Sequence, residues 1–147
     1  IVALVIGGTY ITYSQYQQSQ RFFEAPVEAS ARWHVAATAA EFKQLLAQAP
    51  KGQKIIIDVY ADWCVACQPI EHRILKSATV QQALAPYYLI KLDLSHYDAT
   101  HQVLLNQWDI LGPPTYLFLD ASQQEIRGLR LTGAFTEAEL LAQLQRF

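Results

Sequence analysis

The segment Lys54–Tyr60 constrains the fold more than any other part of the sequence, because it reads KIIIDVY. Isoleucine and valine are β-branched and favour extended backbone. A nearly continuous apolar run of this length is typical of a strand that is buried on both faces. The sequence therefore predicts a central strand of a sheet that has helices packed on both sides.

Extended and helical patterns alternate along the rest of the chain. The predicted strands are Trp33–Ala36, Lys54–Tyr60, Tyr88–Leu94, Thr115–Asp120 and Glu125–Leu131. Five helices are predicted. The first and the last each follow a capping box, at Thr38 and at Thr136. The other three run from about Cys64 to Lys76, over Thr79–Ala85 and over Ala99–Trp108. This order, β-α-β-α-β-α-β-β-α, predicts an α/β fold with a central mixed sheet flanked by helices. The early strands should be parallel, and the last two should form an antiparallel hairpin.

Composition excludes two classes of protein. The chain has 147 residues, of which 52% are hydrophobic, and its formal net charge is −2. This length fits one domain, and this hydrophobic fraction rules out a disordered chain. Because the charge is close to zero and no basic run is present, nucleic acid is not an expected partner.

The first 31 residues differ from the rest of the chain. Residues 1–13 (IVALVIGGTYITY) carry no charge and are almost wholly apolar, but a bilayer crossing needs about 20 such residues. We expect the truncated end of a transmembrane helix or a membrane-proximal segment, with a buried core element or a signal-sequence remnant as alternatives. Residues 14–31, rich in Gln, Ser and Ala, are a predicted linker, and residues 32–147 are the predicted domain. The linker has no Lys or Arg before Arg21, which favours the outer face of the membrane.

The two cysteines of the chain, Cys64 and Cys67, form one C-x-x-C directly after the central strand. Residues three apart on a helix face the same way, so their sulfur atoms can form a disulfide. Free N–H groups at a helix N-terminus stabilise a thiolate on the first cysteine. We therefore expect Cys64 to be the exposed nucleophile and Cys67, one turn deeper, to be the resolving thiol.

Two other uses of this cysteine pair remain open. A zinc site needs further ligands, and the histidines at 34, 72, 96 and 101 are scattered along the sequence, so no metal is expected. A purely structural disulfide would close a very short loop and would constrain the unfolded chain little. A C-x-x-C beside a βαβ pattern favours redox chemistry, in which the cysteine pair is the redox centre and no cofactor is needed.

The segment YADWCVAC, from Tyr60 to Cys67, resembles the active-site segment of thioredoxin-fold proteins, and in particular that of the C-terminal periplasmic domain of the DsbD family. Gly112-Pro113-Pro114-Thr115 resembles the cis-proline loop of these proteins, and Gly133 resembles a glycine near their last helix. The resemblance covers about residues 32–147 and implies a thioredoxin-like fold.

The resemblance also implies a function. The expected activity is that of a protein-disulfide reductase, carried by a monomeric domain that would face the periplasm at the bacterial inner membrane. It would relay electrons from a membrane domain to periplasmic protein disulfides, including those of disulfide isomerases and cytochrome c maturation proteins. The alternatives are a stand-alone membrane-tethered oxidase or cytochrome c maturation reductase, and a non-catalytic module that binds metal through its thiols.

Several charged residues are candidates for tuning the thiols. The resemblance places Asp58 at the buried acid of thioredoxin, Lys91 at the lysine that pairs with it, and Glu71 at an acidic position of the DsbD domain. Together with Asp62, these carboxylates should disfavour a thiolate, so we expect the pKa of Cys64 to be near or above its ordinary value of about 8.5. Solvated positions for Asp58, Lys91 and Glu71 are the alternatives.

Other residues are candidates for docking a partner. Trp63 and Tyr60 are expected to shield the site and contact the partner, with a place in the core as the alternative. From the resemblance, Pro114 is expected to be cis, and the loop Pro113–Thr115 is expected to present its backbone to an extended partner segment. Pro113 has no N–H, so one donor for such docking is missing. Pro69, inside the predicted helix, removes a hydrogen bond to Val65 and predicts a kink.

Overall fold

A mixed sheet of five strands forms the centre of the molecule in the computed structural model, which describes residues 31–147. The predicted membrane-proximal segment, residues 1–13, and the predicted linker up to residue 30 lie outside the described residues. The strands are β1 (Trp33–Ala36), β2 (Ile55–Tyr60), β3 (Tyr88–Asp93), β4 (Thr115–Leu119) and β5 (Leu131–Thr132). Their order across the sheet is β1-β3-β2-β4-β5. Strand β2 therefore lies at the centre, as the sequence predicts.

Helices cover both faces of this sheet. They are α1 (Ala39–Gln48), α2 (Cys67–Pro69), which continues as a π-helical turn (Ile70–Ile74), α3 (Ala78–Leu84), α4 (Ala99–Gln107) and α5 (Glu137–Arg146). Thr38, Asp98 and Thr136 cap the helices α1, α4 and α5, each with reciprocal capping-box bonds. Within residues 31–147, none of these helices has the length and apolar character needed to cross a bilayer.

The strands pair as the βαβ pattern predicts. Strand β3 is parallel to both β1 and β2, whereas β4 is antiparallel to both β2 and β5. Side chains of β2 alternate between two cores. The cysteine-side core contains the two cysteines with Ile57, Phe42 and Leu104, among others. The acid-side core contains Ile56, Ile70, Val80, Phe118 and Leu140, among others. The predicted α/β fold, a central mixed sheet between helices, is confirmed.

The helix predicted to start near Cys64 begins instead at Cys67, and Cys64 lies in the turn before it. Because Pro69 has no N–H, the carbonyl of Val65 accepts from the N–H of Gln68 at 3.2 Å. After Pro69 the turns widen, and the N–H of Leu75 donates to the carbonyl of Ile70 at 2.9 Å. The predicted kink at Pro69 thus takes the form of a π-helical turn, a rare feature that often occurs at functional sites.

The prediction of one hairpin strand over Glu125–Leu131 is wrong. The N–H of Ile126 donates to the carbonyl of Phe118 at 2.8 Å, as in antiparallel pairing. The chain then forms a 3₁₀ turn over Arg127–Leu129, and only the short strand β5 pairs again with β4. The turn buries Leu129 in the acid-side core, and this apolar burial offsets the loss of ladder hydrogen bonds.

Candidate active site

The two cysteines form a disulfide in the turn that follows β2, with their Cα atoms 5.3 Å apart. The N–H of Cys67 donates to the carbonyl of Cys64 at 3.1 Å. The same N–H lies 3.2 Å from the Cys64 sulfur, within hydrogen-bond distance. A backbone N–H at the start of a helix is the kind of donor that stabilises a thiolate. The local backbone is therefore arranged to support negative charge on Cys64.

The two sulfur-bearing residues differ little in exposure. Cys64 is 6% exposed and Cys67 is 2% exposed in the disulfide form, so the predicted contrast between an open and a shielded cysteine is small. The surface around them belongs to their neighbours, since Trp63 is 55% exposed and Val65 is 85% exposed. A partner therefore meets these flanking side chains before it meets Cys64.

Side chains from two directions hold the active-site turn. The amide of Gln68 donates to the carbonyl of Asp62 at 3.0 Å and to that of Cys64 at 3.4 Å. The N–H of Asp62 donates to the hydroxyl of Ser95, which follows β3, at 2.9 Å. These bonds fix the backbone on both sides of the cysteine pair. The side chain of Asp62 is exposed and forms no part of the buried cluster described next.

A buried cluster of ionisable side chains lies on the acid side of the sheet. Asp58, Glu71, Lys91 and Tyr116 are called the inner cluster below. Lys91 Nζ is 2.5 Å from Glu71 Oε2 and 3.9 Å from Asp58 Oδ2. Glu71 reaches Lys91 from the π-helical turn. The solvated alternatives for Asp58, Glu71 and Lys91 are wrong, because all three side chains are largely or wholly buried.

Burial is the main influence on the two innermost groups. Burial raises the pKa of Asp58 well above its ordinary value, the charge of Lys91 counteracts this effect, and the charge of Glu71 adds to it. Burial, together with the negative charges of Asp58 and Glu71, likewise raises the pKa of Tyr116 well above its ordinary value. Asp58 therefore keeps its proton to a higher pH than an exposed aspartic acid does.

Two aromatic rings cover the lysine of this cluster. Lys91 Nζ lies 5.0 Å from the ring centre of Tyr60 and 5.7 Å from that of Trp33. Rings at this distance attract a cation and shield it from water. Tyr60 is half-buried and packs against the cysteine-side core, so its contacts match the core alternative better than the expected partner contact.

The loop before β4 lies beside the disulfide turn, and its Pro113–Pro114 bond is cis, as expected. The N–H of Gly133 donates to the carbonyl of Pro114 at 2.9 Å, and the hydroxyl of Thr115 donates to the carbonyl of Gly112 at 2.6 Å. Both Pro114 and Thr115 are buried. They therefore shape the loop, and their side chains are not presented to a partner.

An apolar groove separates this loop from Trp63. Its volume is about 240 Å³, and Pro113, Tyr97 and the 91% exposed Leu111 are among its lining residues. Trp63, Val65, Tyr97, Leu111 and Pro113 are called the outer rim below. Exposed apolar surface of this kind marks protein-interaction sites. Of the residues predicted to dock a partner, the structure brings Trp63 and Pro113 together in this groove.

Comparison with known proteins shows the family to which this chain belongs. The family model described as "Thioredoxin" matches residues 34–146, which is most of the chain and includes the whole site. This chain belongs to the thioredoxin family. Within that family, the resemblance to DsbD is confirmed by the relatives described next, and a solved DsbD C-terminal domain supports the shared fold.

The relatives of this thioredoxin-family chain include much longer proteins. The thiol:disulfide interchange protein DsbD of Yersinia enterocolitica is 38% identical over 127 residues, 84% of this chain and 22% of that protein. The DsbD of Klebsiella pneumoniae is 42% identical over 106 residues, 72% of this chain and 18% of that protein. The chain therefore spans about a fifth of the length of these relatives.

A solved structure supports the same fold. The C-terminal domain of Neisseria meningitidis DsbD in its reduced form matches this thioredoxin-family chain with a TM-score of 0.66 at 22% identity. The match covers 77% of this chain and 98% of that domain. The single domain of that structure therefore corresponds to most of the residues described here.

The histidines of this thioredoxin-family domain do not gather at the cysteines. His72 Nε2 lies 3.0 Å from Gln68 Oε1, His101 Nε2 lies 2.9 Å from the carbonyl of Ala37, and His34 stacks on Tyr88. Within residues 31–147, no three side chains of His, Cys, Asp or Glu come together as metal ligands.

Sequence reasoning missed three residues of the thioredoxin-family site, namely Tyr116 in the inner cluster and Leu111 and Tyr97 in the outer rim. Tyr116 lies in the apolar strand TYLFL, where a tyrosine is an ordinary strand former, and only the pairing of β4 with β2 places it opposite Asp58. Leu111 precedes Gly112 and two prolines, and an apolar residue in such a turn is a usable signal of exposure. Tyr97, by contrast, has no sequence signal that separates it from a core aromatic.

Proposed function

We propose that this domain is a protein thiol–disulfide oxidoreductase that acts as a reductase. Its reduced cysteine pair gives two electrons to a disulfide in a partner protein. The observation that carries the proposal is the C-x-x-C disulfide after the central strand, with the N–H of Cys67 directed at the Cys64 sulfur. The similar DsbD proteins are named for thiol:disulfide interchange, which supports this chemistry.

The exchange takes place in two steps. The Cys64 thiolate attacks one sulfur of the partner disulfide, which forms a mixed disulfide and releases the other partner sulfur as a thiolate. Cys67 then loses its proton, and its thiolate attacks Cys64 and releases the second partner sulfur. The domain ends with the Cys64–Cys67 disulfide, and the partner gains two electrons and, from solvent, two protons. We assign Asp58 as the acceptor of the Cys67 proton, because it is a buried acid and burial raises its pKa well above the ordinary value, which makes it a stronger base than an exposed carboxylate.

The charges around Cys64 favour a reductant. Lys91 pairs with Glu71 at 2.5 Å and partly neutralises it, whereas the ionised form of Asp58 adds a negative charge that disfavours a thiolate. Exposed Asp62 adds only a screened charge. The helix N–H acts in the other direction, and we expect the pKa of reduced Cys64 to be near or above the ordinary value of about 8.5. A thiol titration that placed it below about 7 would contradict this assignment.

We assign the domain to the periplasmic side of the bacterial inner membrane, where it accepts electrons from a membrane domain and passes them to periplasmic protein disulfides. The apolar segment 1–13 and the linker 14–31 fit a membrane-proximal position. The greater length of the DsbD relatives is consistent with additional domains. The redox centre is the cysteine pair, so the exchange uses no further cofactor.

An insulin-reduction assay tests the proposed function. Cys64→Ser should abolish turnover, and Cys67→Ser should accumulate a mixed disulfide with insulin that is visible on a non-reducing gel. Val103→Ser, an exposed change on α4 outside the lining of the groove, serves as the matched control and should keep full turnover. Turnover in Cys64→Ser would remove the assignment of the nucleophile. A reduction potential near the roughly −120 mV of a strong oxidant would favour an oxidase instead.

A further inference from the structure

Two buried polar atoms of the inner cluster lack a hydrogen-bond partner among residues 31–147. They are Asp58 Oδ2 and the hydroxyl of Tyr116. Buried polar groups in folded proteins are nearly always hydrogen-bonded, so each such exception calls for a physical reason. That two exceptions occur in side chains of the same cluster indicates that they serve one purpose.

Both residues lie in one row across the sheet. Asp58 is paired with Lys91 on β3 and with Tyr116 on β4, and side chains at paired positions share a face of the sheet. Glu71 reaches the same face from the π-helical turn. The charged and titratable groups that face Asp58 are therefore Lys91, Glu71 and Tyr116, one from each neighbouring element.

The ring of Tyr116 is held firmly in place. It packs edge-to-face against Trp33 with ring centres 6.1 Å apart and against Phe135 with ring centres 4.9 Å apart. The ring is fully buried. Its hydroxyl is therefore held on the face of the sheet where Asp58 lies, close enough for hydrogen bonding to lower the pKa of that carboxyl, although the two groups do not meet in a hydrogen bond of normal geometry. A small adjustment of the two side chains completes that bond.

A hydroxyl has a property that the other members of the inner cluster lack. It donates one hydrogen bond and also accepts hydrogen bonds, whereas the ammonium group of Lys91 only donates and an ionised carboxylate only accepts. Because the pKa of Tyr116 is raised well above its ordinary value, the phenol keeps its proton throughout the working pH range. It can therefore donate to an ionised Asp58 and accept from a protonated Asp58.

We propose that Tyr116 is a positioning residue for Asp58, and that its hydroxyl reverses the direction of a hydrogen bond whenever Asp58 gains or loses a proton. The proposal rests on the proposed function. When Cys67 attacks Cys64, the Cys67 proton passes to the Asp58 carboxylate, the Cys64–Cys67 bond forms, and the bond from Cys64 to the partner breaks. The electron pair of the broken bond leaves on the partner sulfur. Re-reduction of the domain returns the proton from Asp58 to Cys67, so Tyr116 serves both directions of the exchange.

The first test needs no turnover. In the oxidised protein, the carboxyl carbon of Asp58 is titrated by ¹³C NMR in the wild type and in Tyr116→Phe, which keeps the ring and removes the hydroxyl. Loss of a donor to the charged form should raise the titration midpoint by about one pH unit. Tyr88→Phe is the matched control. It removes a phenol hydroxyl from β3 at the position paired with Ile55, and it should leave the midpoint unchanged. An unchanged midpoint in Tyr116→Phe would overturn the proposal.

The second test follows the chemical step. A thionitrobenzoate group attached to Cys64 is released when Cys67 attacks, and its colour reports the rate. In Tyr116→Phe the pH–rate profile should move to higher pH by the same amount, which lowers the rate below the midpoint up to about 10-fold and leaves the rate at high pH unchanged. A uniform loss at every pH would indicate a structural defect and would overturn the proposal.

A third measurement holds even if Tyr116→Phe does not fold. In the wild type, the ring carbon that bears the Tyr116 hydroxyl should change its ¹³C shift with the same midpoint as Asp58, and this change should vanish in Asp58→Asn. A shift that stays constant through the Asp58 titration would overturn the proposal. The insulin assay above decides the reductase function separately, so failure of one proposal is distinguishable from failure of the other.

Discussion

On one side of the Cys64–Cys67 disulfide the exposed side chains of the outer rim are apolar and uncharged, whereas on the other side the inner cluster is buried and ionisable. Leu111 in the rim is 91% exposed, while Lys91 in the cluster is held between two carboxylates and two aromatic rings. Both regions adjoin the active-site segment, since Asp58 lies in the strand before it and Trp63 and Val65 flank Cys64. Contact with a partner and movement of protons are therefore assigned to different sides of the same disulfide.

This separation has an energetic reason. An exposed apolar side chain contributes little to stability and is free to bind a partner, since surface substitutions usually change stability by less than about 0.5 kcal/mol. A buried charge is stable only while its partners remain, because an unpaired ion in the interior is very unfavourable. Substitutions in the inner cluster should therefore change stability, and substitutions in the outer rim should change activity toward proteins.

The largest effect is expected from Lys91→Met, which removes the one cation of the inner cluster and leaves Asp58 and Glu71 facing each other. Breaking a buried ion pair in this way costs about 3–5 kcal/mol. Urea denaturation of the oxidised protein at pH 7 measures the loss. Since Lys91 lowers the pKa of Asp58, the variant should raise that pKa further, and the loss of stability should shrink as the pH falls toward 4.

Lys43→Met, an exposed change on α1, is the matched control for Lys91→Met and should be nearly neutral. A loss in Lys91→Met no greater than in this control would show that the inner cluster does not depend on its cation. The claim that substitutions in the inner cluster change stability would then be wrong.

The next largest effect has the opposite sign. Asp58→Asn replaces a buried acid by a neutral side chain of similar shape, and it should stabilise the folded protein at pH 7 because burial makes the charged form of Asp58 unfavourable. The pKa of Asp58 is raised in the folded state, so the folded protein binds more protons than the unfolded chain between pH 4 and that raised pKa. Wild-type stability should therefore fall as the pH rises through this window.

The Asp58→Asn variant should lack this pH dependence and should be more stable than the wild type at pH 7. It should also release a partner from Cys64 more slowly. Denaturation curves at pH 5, 7 and 9, together with the thionitrobenzoate release assay, measure both properties. A variant that is less stable than the wild type at every pH would mean that Asp58 serves mainly to hold the structure together.

The sequence was sufficient for the fold and for the centre of the site. The β-branched run of β2, the capping boxes and the C-x-x-C are local patterns, and local patterns determine local structure. The two boundary errors have different causes. The widened turn after Pro69 is local, because proline has no N–H. The interruption of the last strand is tertiary, because Leu129 is buried among residues that are distant in the chain.

What the sequence did not supply is the pairing of residues that are distant in the chain. Tyr116 became part of the site only through the register of β4 against β2, and a shift of one residue would have turned it to the other core. Lys91 and Glu71 were candidates from the resemblance, but only the π-helical turn shows that Lys91 pairs more closely with Glu71 than with Asp58. The small difference in exposure between the two cysteines likewise depends on the packing of distant segments.

The smallest expected effect concerns the outer rim. Leu111→Ser should leave the free energy of unfolding within about 0.5 kcal/mol of the wild type, because the side chain is exposed. If the rim binds protein partners, loss of this apolar contact should lower kcat/KM for insulin about 3- to 10-fold, a change of roughly 1 kcal/mol in the transition-state free energy. The rate with a small disulfide such as oxidised glutathione should stay the same, because that disulfide is too small to need the rim.

Val103→Ser is again the control, since it removes an exposed apolar side chain outside the rim. Equal losses toward insulin and glutathione would place Leu111 in the chemistry of the disulfide rather than in recognition, and the two sides of the site would then not divide the work as proposed.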